Sequence, residues 1–162
     1  MKEGGAHMVK IEGGAPQLET VRHLTARAVP VCGHLGLMPQ SIHQLGAYRV
    51  QGRGEHEGER ILKDAVGLQK AGAQMLVLEC VPALLAEEIT RALDIPVIGI
   101  GAGVDVDGQV LVLHDMLGIT MHGTPSFVRD FLVEEGTVQG ALSAYVGAVK
   151  AKTFPAEEHT FT

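Results

Sequence analysis

Met75-Leu-Val-Leu-Glu-Cys80 is an apolar run closed by a carboxylate and a thiol. It is too short for an isolated helix, and too continuous for a strand with one wet face. A strand of a parallel sheet, covered on both sides, needs this pattern. The same reading extends to His7–Glu12, Val29–His34 and Pro96–Gly101, with Val110–His114 as a fifth, weaker candidate. Helix-period segments separate them at Pro16–Ala28, Glu57–Ala71 and Pro82–Leu93, and two more, Ser126–Glu135 and Val138–Lys150, follow the last strand. Pro16 and Pro82 stand in first turns, where a missing N–H costs nothing, and Gly72 stops the helix before it. The rhythm is βαβαβαβ, which implies right-handed crossovers and a parallel α/β fold.

Composition agrees with one soluble domain spanning residues 1–162, with 138–162 as a C-terminal helix and tail. The 162 residues are 46% apolar, with 13 Lys and Arg against 19 Asp and Glu, a net charge of −6. No apolar stretch reaches the 18 or so residues a membrane helix requires, and no leader pattern opens the sequence, so a membrane partner and secretion are not expected. Two cysteines, Cys32 and Cys80, make neither a disulfide framework nor a metal knuckle, which suits the cytoplasm. An acidic chain with 4% aromatic residues lacks the cations and stacking surfaces that nucleic acid needs. Glycine is in excess, 21 residues placed beside the apolar runs, as in α/β proteins with tight functional loops.

Two architectures satisfy this rhythm. A closed barrel of TIM type needs eight strands and typically ~250 residues, so four or five βα units would be its C-terminal part, with roughly 90–100 residues expected upstream. An open five-stranded sheet would need nothing more. Met1-Lys-Glu-Gly-Gly-Ala-His-Met8 reads as a helix end entering a strand rather than as a natural start, and both architectures are carried forward. One insertion interrupts the rhythm: Gly33 to about Gly58, with Gly36, Pro39, Gly46, Gly52 and Gly54, is long enough to be a lid or binding loop.

Strand alternation puts Lys10 and Glu12 on one face of the first strand, at the C-terminal end where parallel α/β proteins place their sites. A structural Lys–Glu pair explains them as well as an active site does. Glu79 closes the row Met75, Val77, Glu79, on the face opposite Cys80. A carboxylate among apolar neighbours suits a general base acting on a carbon acid, and a solvated strand-end carboxylate is the plain alternative. His34 ends the second strand beside Cys32, either as a hydrogen-bonded structural residue or as a ligand-binding one. His43, His114 and His122 lack zinc spacing, and both cysteines read as small buried hydrophobes. Gly99-Ile-Gly-Ala-Gly103 misses the dinucleotide fingerprint, and Asp105 and Asp107 lack the rest of a calcium loop.

Six collinear stretches carry a family resemblance. They are Met8-Val-Lys-Ile-Glu-Gly-Gly14, Val29-Pro-Val-Cys-Gly-His-Leu-Gly-Leu37, Tyr48-Arg-Val-Gln-Gly-Arg53, Gly72-Ala-Gln-Met-Leu-Val-Leu-Glu-Cys-Val-Pro82, Ile95-Pro-Val-Ile-Gly-Ile-Gly-Ala-Gly103 and Asp107-Gly-Gln-Val-Leu-Val-Leu-His-Asp115. With the closing Phe154-Pro-Ala-Glu-Glu-His159, the sequence resembles the ketopantoate hydroxymethyltransferases over its whole length. The resemblance implies a (β/α)8 barrel that moves a one-carbon unit from 5,10-methylenetetrahydrofolate to the α-keto acid 3-methyl-2-oxobutanoate, with Mg2+. It implies Glu79 as proton acceptor, Lys10 and His34 as substrate-binding residues, Glu12 as a metal-site carboxylate, and a homo-oligomer, commonly a decamer. Two metal-binding aspartates of the family have no counterpart here, because their strands precede the first residue. A non-catalytic fragment, or another magnesium-dependent α-keto acid lyase or mutase on a similar barrel, are the competing readings. Dependence on a one-carbon donor separates the lyase.

Overall fold

The computed structural model describes residues 1, 3–41, 49–121 and 123–162. Among them are five strands, β1 (Val9–Glu12), β2 (Val31–Gly36), β3 (Met75–Glu79), β4 (Val97–Ile100) and β5 (Gly108–Gln109). The α-helices among these residues are α1 (Leu18–Thr25), α2 (Glu55–Lys70), α3 (Ala83–Ala92), α4 (Leu113–Met116), α5 (Leu132–Glu135) and α6 (Val138–Lys150). All strand pairs are parallel, and the sheet order β1-β2-β3-β4-β5 follows the chain. This order has no reversal, the feature at which an open doubly wound sheet changes direction. The architecture is α/β, with a sheet compatible with part of a TIM-type barrel.

The register sorts side chains between two faces. Val31, Leu35, Leu76, Leu78 and Val97 point to one side, where they pack with Val21 of α1, Ile61, Ala65 and Leu68 of α2, and Ile89 of α3. All three crossover helices thus bury their apolar stripes against the same face, which is where most of the hydrophobic stabilisation arises. α2 carries Glu55 and Glu57 in its first turn and Lys70 in its last, each at the end its charge favours. The other face carries Lys10, Glu12, Cys32, His34, Val77 and Glu79 in neighbouring rows, because parallel partners at one register level project the same way. There Val77 and Ile100 meet a second cluster built by the last third of the chain, with Phe131, Tyr145 and Phe154 in mutual edge-to-face contact.

Three expectations are corrected. The fifth strand is not Val110–His114: pairing ends at the Gly99–Gln109 level, with one further bond from Val110 N–H to the Gly99 carbonyl at 3.0 Å. Val110, Val112 and Leu113 are exposed, so that apolar run has no sheet neighbour to bury it and turns into α4. The helix expected over Ser126–Glu135 is only its last turn, Leu132–Glu135. Phe131 is pulled into the second cluster with its N–H on the Met116 carbonyl at 2.9 Å, while Asp130 Oδ1 accepts from the N–H groups of Leu132 and Val133, capping a helix that can start only there. Cys80, finally, does not sit opposite Glu79. Its φ of +50° breaks the alternation and turns it onto the side of Leu37 and Ile100. α6, by contrast, spans the expected residues, with Thr137 accepting from Gly140 N–H at its start.

Candidate active site

His34 lies at the end of β2 with 1% of its surface exposed, between carboxylates from both neighbouring strands. Its Nδ1 is 3.5 Å from Glu12 Oε1 on β1, and its Nε2 is 3.1 Å from Glu79 Oε2 on β3. Neither ring nitrogen makes an in-line hydrogen bond, so the imidazole is flanked rather than satisfied. Leaving such a buried group unpaired costs about 1–3 kcal/mol. Glu12 is held from its other side, where Oε2 accepts the Gln40 N–H at 3.2 Å. Both glutamates are mostly buried, with 9% and 16% of their side chains exposed.

The backbone around Glu79 is fixed from several directions. Its carbonyl accepts the Leu37 N–H at 2.8 Å, and the next residue, Cys80, donates its N–H to Ile100 and accepts from Gln51 N–H, both at 2.9 Å. Gly36 has φ +91°, and a Cβ there would collide with the Glu79 carbonyl oxygen, so glycine is required for this approach. Burial pushes the Cys80 thiol up to about 12, helped by the negative charge of Glu79. Burial also raises the Cys32 thiol, against a lowering contribution from Lys10 and a hydrogen bond from the Val77 backbone. The cysteines are thus protonated at neutral pH, as small buried hydrophobes.

Glu79 opens into a cavity of about 780 Å³. Its walls include Leu37 and Pro39 from one side of the long loop and Arg49, Val50 and Arg53 from the other, as a binding loop would supply, while residues 42–48, His43 among them, lie outside the described part. Ile100, Asp115, Phe127 and Phe161 complete it. Lys10 shares a face with Glu12, one pleat earlier, but β1 is the margin of the sheet and Lys10 is exposed there. Glu12, His34 and Glu79 therefore form one contact chain, with Lys10 on its flank.

Sequence reasoning missed Arg49, Arg53 and Asp115 as cavity residues. The signal lay in the stretches Tyr48–Arg53 and Asp107–Asp115, whose charged residues belong to loops and a short helix where no face parity applies. Among the described residues, no three His, Cys, Asp or Glu side chains converge as metal ligands, and His122 lies outside them. Magnesium takes six oxygens in an octahedron. Glu12, already facing His34 and the Gln40 N–H, does not make that cage with its described neighbours.

Residues 1–157 match the family described as ketopantoate hydroxymethyltransferase. The chain is 58% identical over 161 residues to the 3-methyl-2-oxobutanoate hydroxymethyltransferase of Edwardsiella ictaluri, covering 99% of this chain and 61% of that protein. Enzymes of the same name from Chromobacterium violaceum (58% over 159 residues, 98% and 60% covered) and Escherichia fergusonii (59% over 157 residues, 97% and 60% covered) are similarly close. The chain spans about 60% of the length of these relatives.

Proposed function

Because the chain belongs to the ketopantoate hydroxymethyltransferase family, we propose that it contributes the proton-abstracting side of an active site that transfers a hydroxymethyl group to 3-methyl-2-oxobutanoate, giving 2-dehydropantoate. The donor in this reading is 5,10-methylenetetrahydrofolate, and the five strands belong to one (β/α)8 barrel.

The observation that carries the reading is the placement of Glu79, a mostly buried carboxylate at the mouth of a large cavity with a buried imidazole behind it. Glu79 takes the proton from C3 of the keto acid. C3 then bonds to the one-carbon unit, whose bonds to its carrier break, and water supplies the hydroxyl. His34 lies 3.1 Å from Glu79 and 3.5 Å from Glu12, which places one imidazole between the two carboxylates. Lys10, an exposed cation on the same face, is suited to the substrate's carboxylate or the developing enolate oxygen. The family resemblance also implies magnesium, which would need oxygen ligands beyond Glu12, and no step here is routed through it. On the same reading the protein is a cytoplasmic homo-oligomer; no described helix is long and apolar enough to cross a membrane.

Proton abstraction can be read without the one-carbon donor, as deuterium uptake at C3 of 3-methyl-2-oxobutanoate in D2O, followed by proton NMR. Glu79→Gln should slow the exchange at least ~100-fold, the usual worth of a general base. Exchange at an unaltered rate in this variant, or none with the unaltered protein, overturns the assignment.

A further inference from the structure

The rim of the cavity is built from segments far apart in the chain, and one short piece joins several of them. After α6 the chain makes a single 3-10 turn, Glu157–His159, closed by the His159 N–H on the Ala156 carbonyl at 3.0 Å and by the Thr160 hydroxyl on the same carbonyl at 2.9 Å. The His159 ring lies 5.3 Å from that of Phe154, which is 2% exposed in the second cluster, so the turn is fixed to the body of the protein. Residues 160–162 then return to the strand ends as a strap. The Phe161 carbonyl accepts the Ala83 N–H at 3.0 Å at the start of α3, a helix that follows Pro82 and has no side-chain cap. Every helix start leaves such N–H groups unpaired, and the strap satisfies this one four residues after Glu79. The Phe161 ring stands edge to face with Phe127 at 6.2 Å between centroids. Glycine at 101, with φ +60°, makes room for both rings: a Cβ there would lie 2.9 Å from Phe127 and 3.2 Å from Phe161. Arg53, at the end of the long loop, donates its Nε–H to the Thr162 main-chain oxygen at 3.1 Å. Two residues earlier the same loop gives the Gln51 N–H to the Cys80 carbonyl, directly after Glu79.

We propose that Phe161 and Arg53 are positioning residues for Glu79: together they latch the 156–162 strap across the strand ends, and the strap holds the long loop and α3 in the places from which they fix the backbone around the carboxylate. The role rests on Glu79 being the base, as proposed above. Neither side chain handles the proton. The latch consists of two contacts in series, Phe161 on the Phe127 and Gly101 side and Arg53 on the loop side, so opening either one opens it and opening the second adds nothing.

Deuterium exchange at C3 of 3-methyl-2-oxobutanoate is followed against keto acid concentration for the unaltered protein, Arg53→Gln, Phe161→Ala, the double variant and Phe161→Leu. Each of Arg53→Gln and Phe161→Ala should lower the plateau rate at least ~10-fold, the scale on which a slightly misplaced reacting group loses rate, with the half-saturating concentration held within ~2-fold. The double variant should lose no more than the larger single loss, and Phe161→Leu, which keeps an apolar side chain beside Gly101, should recover part of it. Amide hydrogen exchange gives a second reading that needs no activity. The N–H groups of Gln51 and Ala83 should exchange faster in both single variants, with those of Leu76 and Leu78 in β3 unchanged. An intact plateau rate, losses that multiply in the double variant, a change confined to the half-saturating concentration, or unaltered protection at Gln51 and Ala83 overturns the proposal. No C3 exchange by the unaltered protein removes the base and the role with it, whereas normal dependence on Glu79 with indifferent Arg53 and Phe161 variants removes only this inference.

Discussion

Gly36 and Cys80 do more for the candidate base than its own side chain reveals. One supplies the bare Cα that lets β2 approach the Glu79 carbonyl, and the other turns the chain away immediately after it with φ +50°. Gly36→Ala meets both an unfavourable φ of +91° and a backbone collision, so it should cost more than the ~1 kcal/mol of an ordinary glycine replacement, with the loss read in urea denaturation. C3 exchange should fall in the same variant, because Glu79 is displaced with the carbonyl. The thiol of Cys80 supplies a pH signature. Folded, it holds its proton up to about 12, against an ordinary value of 9.0, so unfolding releases a proton between those limits and stability falls as pH rises through that window. Tyr145, also raised to about 12 by burial, acts in the same direction from its ordinary 10.0. The urea midpoint should therefore drop between pH 8.5 and ~11, and Cys80→Ala should flatten the early part of that decline.

At the scale of elements, what was legible followed burial. β3, α2 and α6 appear where periodicity places them, because each buries a continuous stripe that local pattern alone records. The placement of the site candidates Glu12, His34 and Glu79 was legible for the same reason: strand parity put them on one face, and the parallel register brought them level or one step apart. Parity failed at Cys80, where a backbone conformation that no side-chain pattern announces changed the face. It was silent for Arg49, Arg53 and Asp115, which reach the cavity from loops and a single helical turn. The region 110–135 failed through tertiary contact, since Phe131 is fixed by the Met116 carbonyl and its aromatic neighbours rather than by helical spacing. Asp130→Ala should remove the cap of α5 at a cost of about 1 kcal/mol, whereas Leu78→Ala, in the fully buried core between β3 and the helices, should cost about 2–5 kcal/mol. Thermal denaturation of the two variants, compared at equal concentration, checks the ordering.

Across the whole molecule, pairing is uneven. Among the described residues, β3 is bonded on both sides with Leu76 and Leu78 fully buried, while β1 has one partner and β5 contributes two residues. Native-state hydrogen exchange should therefore grade outward, slowest at β3 and faster at β1 and β5. Equal protection at the margin and centre would contradict the sheet described here. The exposed Lys10 is the sort of residue that discourages a bare strand from recruiting a stray one, and it stands on the side of the sheet that carries Glu12.

The strictly consecutive strand order has an engineering consequence. A sheet that grows by one βα unit at a time, always at its margin, can be lengthened from either side without any segment passing through a closed loop. Two separately translated polypeptides can then anneal along their borders like staves, so split-gene complementation is topologically simple for this architecture.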